Sequence, residues 1–353
     1  MTWDPAPFRA AVEASLLEFV DEQACRLLAL GDDAARLVDH ARAAVHGGKR
    51  FRAAFCHWGY RAVRDRVEDE PALLRAAAAL ELLHASALVH DDYMDASDTR
   101  RGRPAPHRAF ESFHRERGWT GRPEQYGAAA AILLGDLLLS WADELLRTCG
   151  LPDDRVRRAL AFFDTTRTEV ITGQFLDVSV QARGASTVED AMRVLRYKSA
   201  KYSVERPLHI GAALAGADQA TLEALTGFGL PLGEAFQLRD DLLGVFGDPT
   251  VTGKPAGDDL TEGKRTVLVA LALERAPAED AKRLDTALGR PLDATEVADL
   301  QRVIESSGAA AEVERRITEL TGRSLAALET APVEEPARAV LRQLAAAATQ
   351  RLR

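Results

Sequence analysis

A chain of 353 residues with a net charge of −9 at neutral pH can bury a large core, and its mild acidity excludes a general affinity for nucleic acid while leaving room for local basic sites. Aromatic residues are only 6%, and Val, Ile and Thr do not gather into alternating runs, which excludes an extensive sheet. Cys25, Cys56 and Cys149 form neither a CxxC pair nor an even framework, so they read as reduced thiols of a cytoplasmic protein.

The N-terminal run MTWDPAPFRA carries Asp4 early and is unlike a secretory signal. GGKRFR then places Lys49, Arg50 and Arg52 in a short glycine-containing stretch. PALLRAAAALELLHASALVHDDYMD follows, with Leu73, Leu74, Ala77, Leu80, Leu83, Ala87 and Leu88 at helical spacing. This helix ends in Asp91 and Asp92, with Asp95 one turn on, and Arg100 and Arg101 come soon after. The most apolar run, GAAAAILLGDLLLSWADELL, is interrupted by Gly135 and Asp136; it falls short of a clean span of about 20 residues and reads as a buried helix, with no membrane span.

Further along, GQFLDV holds Gln174 and Asp177, and RYKSAKY holds Lys198, Ser199 and Lys201. Pro207 is expected to bend or break its helix and free backbone carbonyls beside Lys198 and Ser199. FQLRDDLLGVFGDP repeats the earlier pattern: Asp240 and Asp241 close an apolar segment, and Asp248 shares the face of Asp240 if the helix persists. VTGKPAGDDLTEGKRT adds Asp258, Asp259, Lys254, Lys264 and Arg265. Breakers divide the chain into roughly ten to thirteen helical segments without a flexible linker or a repeat of fixed period. The expectation is one all-α helical-bundle domain over residues 1–353, around a central apolar cavity.

Asp91 and Asp95 lie four apart and share a helix face, so their charges repel unless a cation intervenes. A hard divalent ion suits them: Mg²⁺ takes one or two carboxylates and completes its shell with water and substrate phosphates. One such cluster reads equally well as a solvated helix end. Two aspartate pairs, each ending an apolar helix, point to metal. The basic stretches contain no Walker A loop and no Rossmann glycine pattern, and each alone reads as a solvated patch. Together with the carboxylates they suggest two anionic groups, one held through metal and one directly by Arg and Lys, which fits diphosphates with apolar tails.

From GGKRFR to GKRT, roughly residues 46 to 268, the chain resembles the trans-type isoprenyl diphosphate synthases, also called polyprenyl synthetases. LVHDDYMDASDTRRGRP looks like that family's first Asp-rich motif, and FQLRDDLLGVFGDPTVTGKPAGDDLTEGKRT like its second. The resemblance implies Mg²⁺, three ions with substrate bound, on Asp91, Asp92, Asp95, Asp240 and Asp241. It implies an allylic diphosphate held by Arg100 and Lys198, with Ser199, Lys254 and Lys264 alongside. Lys49, Arg52, His84 and Arg101 would bind isopentenyl diphosphate, with Arg50 in the same motif; Gln174 and Gln237 would stand near the reacting carbons, and Asp177 behind them. A homodimer is the family expectation.

Two departures stand out. The third position of the second motif is Gly244 rather than aspartate, and Ser199 replaces the threonine common after the lysine. The implied reaction is ionisation of the allylic diphosphate, attack by isopentenyl diphosphate and loss of a proton to the departing diphosphate. Chain length would depend on Ser86 and Ala87, five and four residues before Asp91, and on Leu83 a turn (about 5.4 Å) deeper than Ala87. Because Ser86 and Ala87 are small, growth past fifteen carbons is expected, and geranylgeranyl diphosphate is the expected product. Farnesyl or longer-chain synthesis, a terpene cyclase and a non-catalytic partner subunit are the alternatives.

Overall fold

The computed structural model describes residues 3–100, 102–248 and 256–350. Arg101 and Lys254, both expected at the site, lie outside these residues. The chain is all-α. Among the described residues its strands are a single two-stranded hairpin, Thr99–Arg100 with Arg103–Pro104. In chain order the α-helices are α1 Pro5–Leu27, α2 Asp32–Val45, α3 Phe51–Val63, α4 Glu70–Met94, α5 Pro106–Glu116, α6 Pro123–Arg147, α7 Asp153–Arg183, α8 Val188–Val194 and α9 Arg206–Ala215. They continue with α10 Gln219–Phe246, α11 Asp258–Thr261, α12 Val267–Arg275, α13 Ala278–Ala287, α14 Ala294–Ser306, α15 Ala309–Thr330 and α16 Glu335–Thr349. Leu195–Glu205, between α8 and α9, is wound as a π-helix.

The chain forms two compact units. The first comprises Met1–Phe162, Pro207–Asp218 and Val333–Val340; the second comprises Phe163–Arg206, Gln219–Pro332 and Leu341–Arg353. The first is organised on α4. Asp69 caps this helix, its side chain accepting from the Ala72 N–H at 3.0 Å, and Pro71 sits in the first turn where its missing donor costs nothing. The Ala/Leu run then packs on α6, α1 and α3. Among the described residues α4 is the one helix long and apolar enough to cross a membrane, but most of that apolar stretch is inside the protein. The expected buried helix, α6, is buried on one face only: Leu134, Leu138 and Leu145 are inside, whereas Ile132 and Leu133 are exposed. Helices α3 and α9 touch backbone to backbone, since a Cβ on Gly211 would overlap the Cys56 carbonyl oxygen.

The second unit is built on α10, packed against α15 and the π segment. Leu238, Leu242 and Val245 of α10 join Val267, Leu271, Leu300 and Val313 in one apolar cluster. Capping boxes start α8 (Thr187 with Asp190) and α14 (Asp293 with Glu296), so both begin where the sequence supplies the reciprocal hydrogen bonds.

Pro207 does not break its helix. It is the second residue of α9, and the chain ahead of it is already wound wide: the Arg206 N–H donates to the Lys201 carbonyl, five residues back.

Candidate active site

In the first unit the acidic motif closes α4. Asp91 and Asp92 lie in its last turn, and Asp95 is the cap, its N–H donating to the Asp91 carbonyl at 2.8 Å. Ala96 then adopts a left-handed conformation (φ 54°) and turns the chain away from the helix axis. The hairpin pairs Arg100 with Arg103 and carries Arg100 back to the carboxylates. Its Nε donates to Asp92 Oδ1 at 2.7 Å, its Nη2 reaches the same oxygen, and Asp91 Oδ2 lies 3.7 Å from Nη2. Asp92 is 1% exposed, so this cation neutralises a charge that burial would otherwise penalise heavily. Asp98, the fourth aspartate of the run, faces elsewhere and accepts from Arg108 of α5 at 2.7 Å.

The basic motif separates into two kinds of residue. Lys49 is exposed and Arg52 half-buried at the start of α3. Arg50 takes a left-handed conformation (φ 55°) that turns its side chain inward. Its guanidinium donates to the Val45 carbonyl at 2.5 Å and sits 3.5 Å from Glu81 of α4, which also accepts from the Ala53 N–H at 3.1 Å. Arg50, expected in the same motif as the substrate contacts, is buried and braces this turn. His84 is half-buried on α4, two turns before Asp91 on the same face.

The expected chain-length residues also divide. Ser86 is buried and its hydroxyl donates to the Gly135 carbonyl of α6 at 2.7 Å, which makes it a helix-packing residue. Ala87 is half-buried and stands one turn before Asp91; Leu83 is buried one turn deeper. Trp141 of α6 packs edge-on against Phe19 of α1 at 6.2 Å.

In the second unit α7 and α10 grip the π segment. A Cβ on Gly173 would overlap the Lys198 backbone nitrogen, and one on Gly233 would overlap the Ala200 carbonyl oxygen, so both helices meet the segment main chain to main chain. Ion pairs reinforce the contact: Lys198 Nζ to Asp177 at 2.6 Å and Arg196 Nε to Glu234 at 2.7 Å. Gln174 and Ser199 are half-buried beside these contacts in sequence.

A second cluster was not legible in the sequence. Glu169 of α7 accepts from Arg206 at 2.8 Å and lies 3.1 Å from Lys201, which also pairs with Glu205 at 3.4 Å. Burial works to raise the Glu169 carboxyl, but Arg206 and Lys201 outweigh it and hold the group below the usual carboxylate range. Because the folded value is depressed, the stabilisation is complete above the unfolded value of about 4.3 and is lost as pH falls through the folded value. Glu169→Gln is expected to cost about 2–3 kcal/mol at pH 7 and to flatten the acid limb of a pH–denaturation profile; a variant as acid-sensitive as the parent would contradict this.

The second acidic motif ends α10. Asp240 is half-buried and Asp241 is buried, with Gln237 donating to Asp241 Oδ1 at 2.9 Å. Burial pushes the Asp241 carboxyl up to about 8, helped by the charges of Asp259 and Asp240 and opposed by the Gln237 hydrogen bond and Lys264. Helix α10 stops at Phe246, so Asp248 lies beyond it and is exposed. Lys264 pairs with Glu262 and stands 3.8 Å from Asp259.

Among the described residues no three His, Cys, Asp or Glu side chains form a ready-made metal cage. Mg²⁺ does not require one, and the donors present fit it: all are carboxylates, and Asp92 already holds a cation in Arg100.

Helices ending in acidic pairs, with an arginine-bearing hairpin and a lysine-bearing π segment, define an all-α prenyltransferase. A profile of the polyprenyl synthetase family matches residues 35–306. The chain belongs to that family. The geranylgeranyl diphosphate synthase of Mycobacterium tuberculosis is 36% identical over 309 residues, covering 87% of this chain and 81% of that protein. The geranylfarnesyl diphosphate synthase of Natronomonas pharaonis is 39% identical over 207 residues, 59% of this chain and 56% of that protein. The crystal structure of geranylgeranyl pyrophosphate synthase from Corynebacterium glutamicum, complexed with isoprenyl diphosphate and magnesium, superposes with a TM-score of 0.96 at 42% identity, covering 99% of this chain and 100% of that one.

Proposed function

We propose that this chain extends an allylic diphosphate with isopentenyl diphosphate in a magnesium-dependent, head-to-tail condensation, and that its main product is geranylgeranyl diphosphate. The observation that carries the reading is Arg100 seated on Asp92 beside Asp91: anion-binding and cation-binding groups share one place at the end of an apolar helix. The relatives named above, which make C20 and C25 products, support a product longer than farnesyl diphosphate.

Asp91, Asp92 and Asp95, and separately Asp240 and Asp241, would hold the magnesium, which supplies Lewis-acid assistance to departure of the diphosphate. Arg100 and Lys198 bind the allylic diphosphate and stabilise the charge that grows on it, with Lys264 and Lys254 in support. Lys49, Arg52, His84 and Arg101 hold isopentenyl diphosphate, while Arg50 keeps their turn in shape. Asp177 orients Lys198, and Gln174, Gln237 and Ser199 present polar groups towards the developing cation. The apolar residues of α4 keep water from that cation. The proton leaves to the departing diphosphate.

Product length follows from Ala87. Ala87→Phe places a ring one turn before Asp91, and the main product is expected to shorten by one isoprene unit, to fifteen carbons. Ser86→Ala removes the hydroxyl tie to Gly135 and is expected to destabilise the α4–α6 contact by about 1 kcal/mol without shortening the product. Sizing the products of both variants from C5, C10 and C15 starters tests the assignment; an unchanged product from Ala87→Phe would contradict it.

A further inference from the structure

Three residues of the loop between α2 and α3 are left-handed: Gly47 (φ 69°), Gly48 (φ 100°) and Arg50 (φ 55°). Glycine adopts this conformation freely; a residue with a side chain is strained in it and stays only where its surroundings hold it. Arg50 is buried as well, so its charge has lost water. Two carboxylates answer both costs. Glu81 of α4 lies 3.5 Å from Arg50 Nη1, and Glu13 of α1 lies 3.8 Å from Nη2. The second oxygen of Glu13 is 2.7 Å from His46 Nδ1, so one side chain grips both ends of the loop. The second oxygen of Glu81 accepts from the Ala53 N–H at 3.1 Å and ties the loop to the first turn of α3.

Helix α1 is fixed where Glu13 is needed. Val12, Leu16 and Phe19 are buried around it. At the start of the helix Phe8 and Trp3 pack on His57 and Trp58 of α3, with ring centres 5.2 Å and 5.9 Å apart. Residue 13 lies outside the stretch 35–306 matched by the family profile, so the pattern that identifies the family does not contain it.

We infer that Glu13 and Glu81 are positioning residues for isopentenyl diphosphate. By holding Arg50 inward they keep the loop in the shape that leaves Lys49 exposed and sets Arg52 in the first turn of α3. The inference rests on the assignment of Lys49 and Arg52 to that substrate made above. A plainer role is a clamp for stability alone. The two roles separate experimentally: a stability clamp moves the denaturation midpoint and leaves substrate affinity alone, whereas a positioning residue weakens one substrate and spares the other.

The test is calorimetric titration of isopentenyl diphosphate into the full chain, with steady-state kinetics for both substrates and urea denaturation in parallel. Glu13→Gln and Glu81→Gln remove the charge and keep an acceptor oxygen. Each is expected to raise the Kd and KM for isopentenyl diphosphate about 10-fold, with kcat and the KM for the allylic diphosphate within about two-fold of the parent. Glu18→Gln, an exposed change on the same helix, is expected to bind as the parent does. Lys49→Ala is expected to lose at least as much affinity as either variant. Should Glu81→Gln not fold, the partly exposed Glu13→Gln decides alone. Parent-like affinity for isopentenyl diphosphate in a folded Glu13→Gln, or an equal rise in both KM values, overturns the inference and leaves the prenyl-transfer reading standing. Parent-like affinity in Lys49→Ala removes the substrate from this loop and overturns the assignment and the inference together.

Discussion

Replacing Asp91 and Asp92 together with alanine is expected to lower turnover by about a thousand-fold or more. The change removes two of the carboxylates assigned to magnesium and the seat of Arg100 at once. Lewis-acid assistance to a leaving diphosphate is worth several kcal/mol, and a thousand-fold in rate corresponds to about 4 kcal/mol, so the loss is of the size the chemistry requires. A smaller structural effect accompanies it. Arg100 would lose its short contact to a buried partner, at a cost of about 1–3 kcal/mol. Single-turnover rates measured beside circular-dichroism melts separate the two. A folded double variant within ten-fold of the parent rate would remove the first acidic motif from the chemistry.

The second large effect is expected at Gly173, which belongs to neither acidic motif of the sequence. Its place is against the Lys198 main chain: an added Cβ would lie 2.7 Å from the Lys198 Cα and closer still to its nitrogen. No flexible side chain is available to give way, so α7 and the π segment must part. Gly173→Ala is therefore expected to cost about 2–3 kcal/mol of stability. It should also lower turnover by about a hundred-fold, because a displacement of about 1 Å in a positioning element is enough for that. The matched control is Gly227→Ala on α10, where the added methyl meets only the Ala327 Cβ at 3.4 Å. There the better helix propensity of alanine should leave stability unchanged or raise it by up to about 1 kcal/mol. Equal behaviour of the two variants would contradict the packing argument.

The first acidic motif was legible because its residues are in conflict locally: carboxylates that repel on one helix face, followed by arginines, announce a charged site without tertiary information. The caps at Asp69 and Thr187 are local in the same sense, each built within four residues. What depended on distant neighbours was not. Asp259 and Gly244 are fifteen positions apart, and only the close approach of α11 to α10 shows that one fills the space left by the other. Lys49, Arg50 and Arg52 look equivalent as letters; the left-handed φ of Arg50 is what turns it inward. Pro207 invited a break because the rule for proline assumes α-winding ahead of it, and the wide π turn removes that assumption. The Glu169 cluster gave no signal because its partners come from α7, the π segment and α9 together.

The central claim is that diphosphate departure and chain extension are one coupled event. The most direct measurement is inorganic diphosphate released by the purified chain from a C15 allylic diphosphate, with isopentenyl diphosphate and Mg²⁺ each added or withheld. One diphosphate released per added isoprene unit, with none when either isopentenyl diphosphate or Mg²⁺ is withheld, is the predicted result. Release from the allylic diphosphate without isopentenyl diphosphate would instead mark a cyclase or a hydrolase and contradict the account.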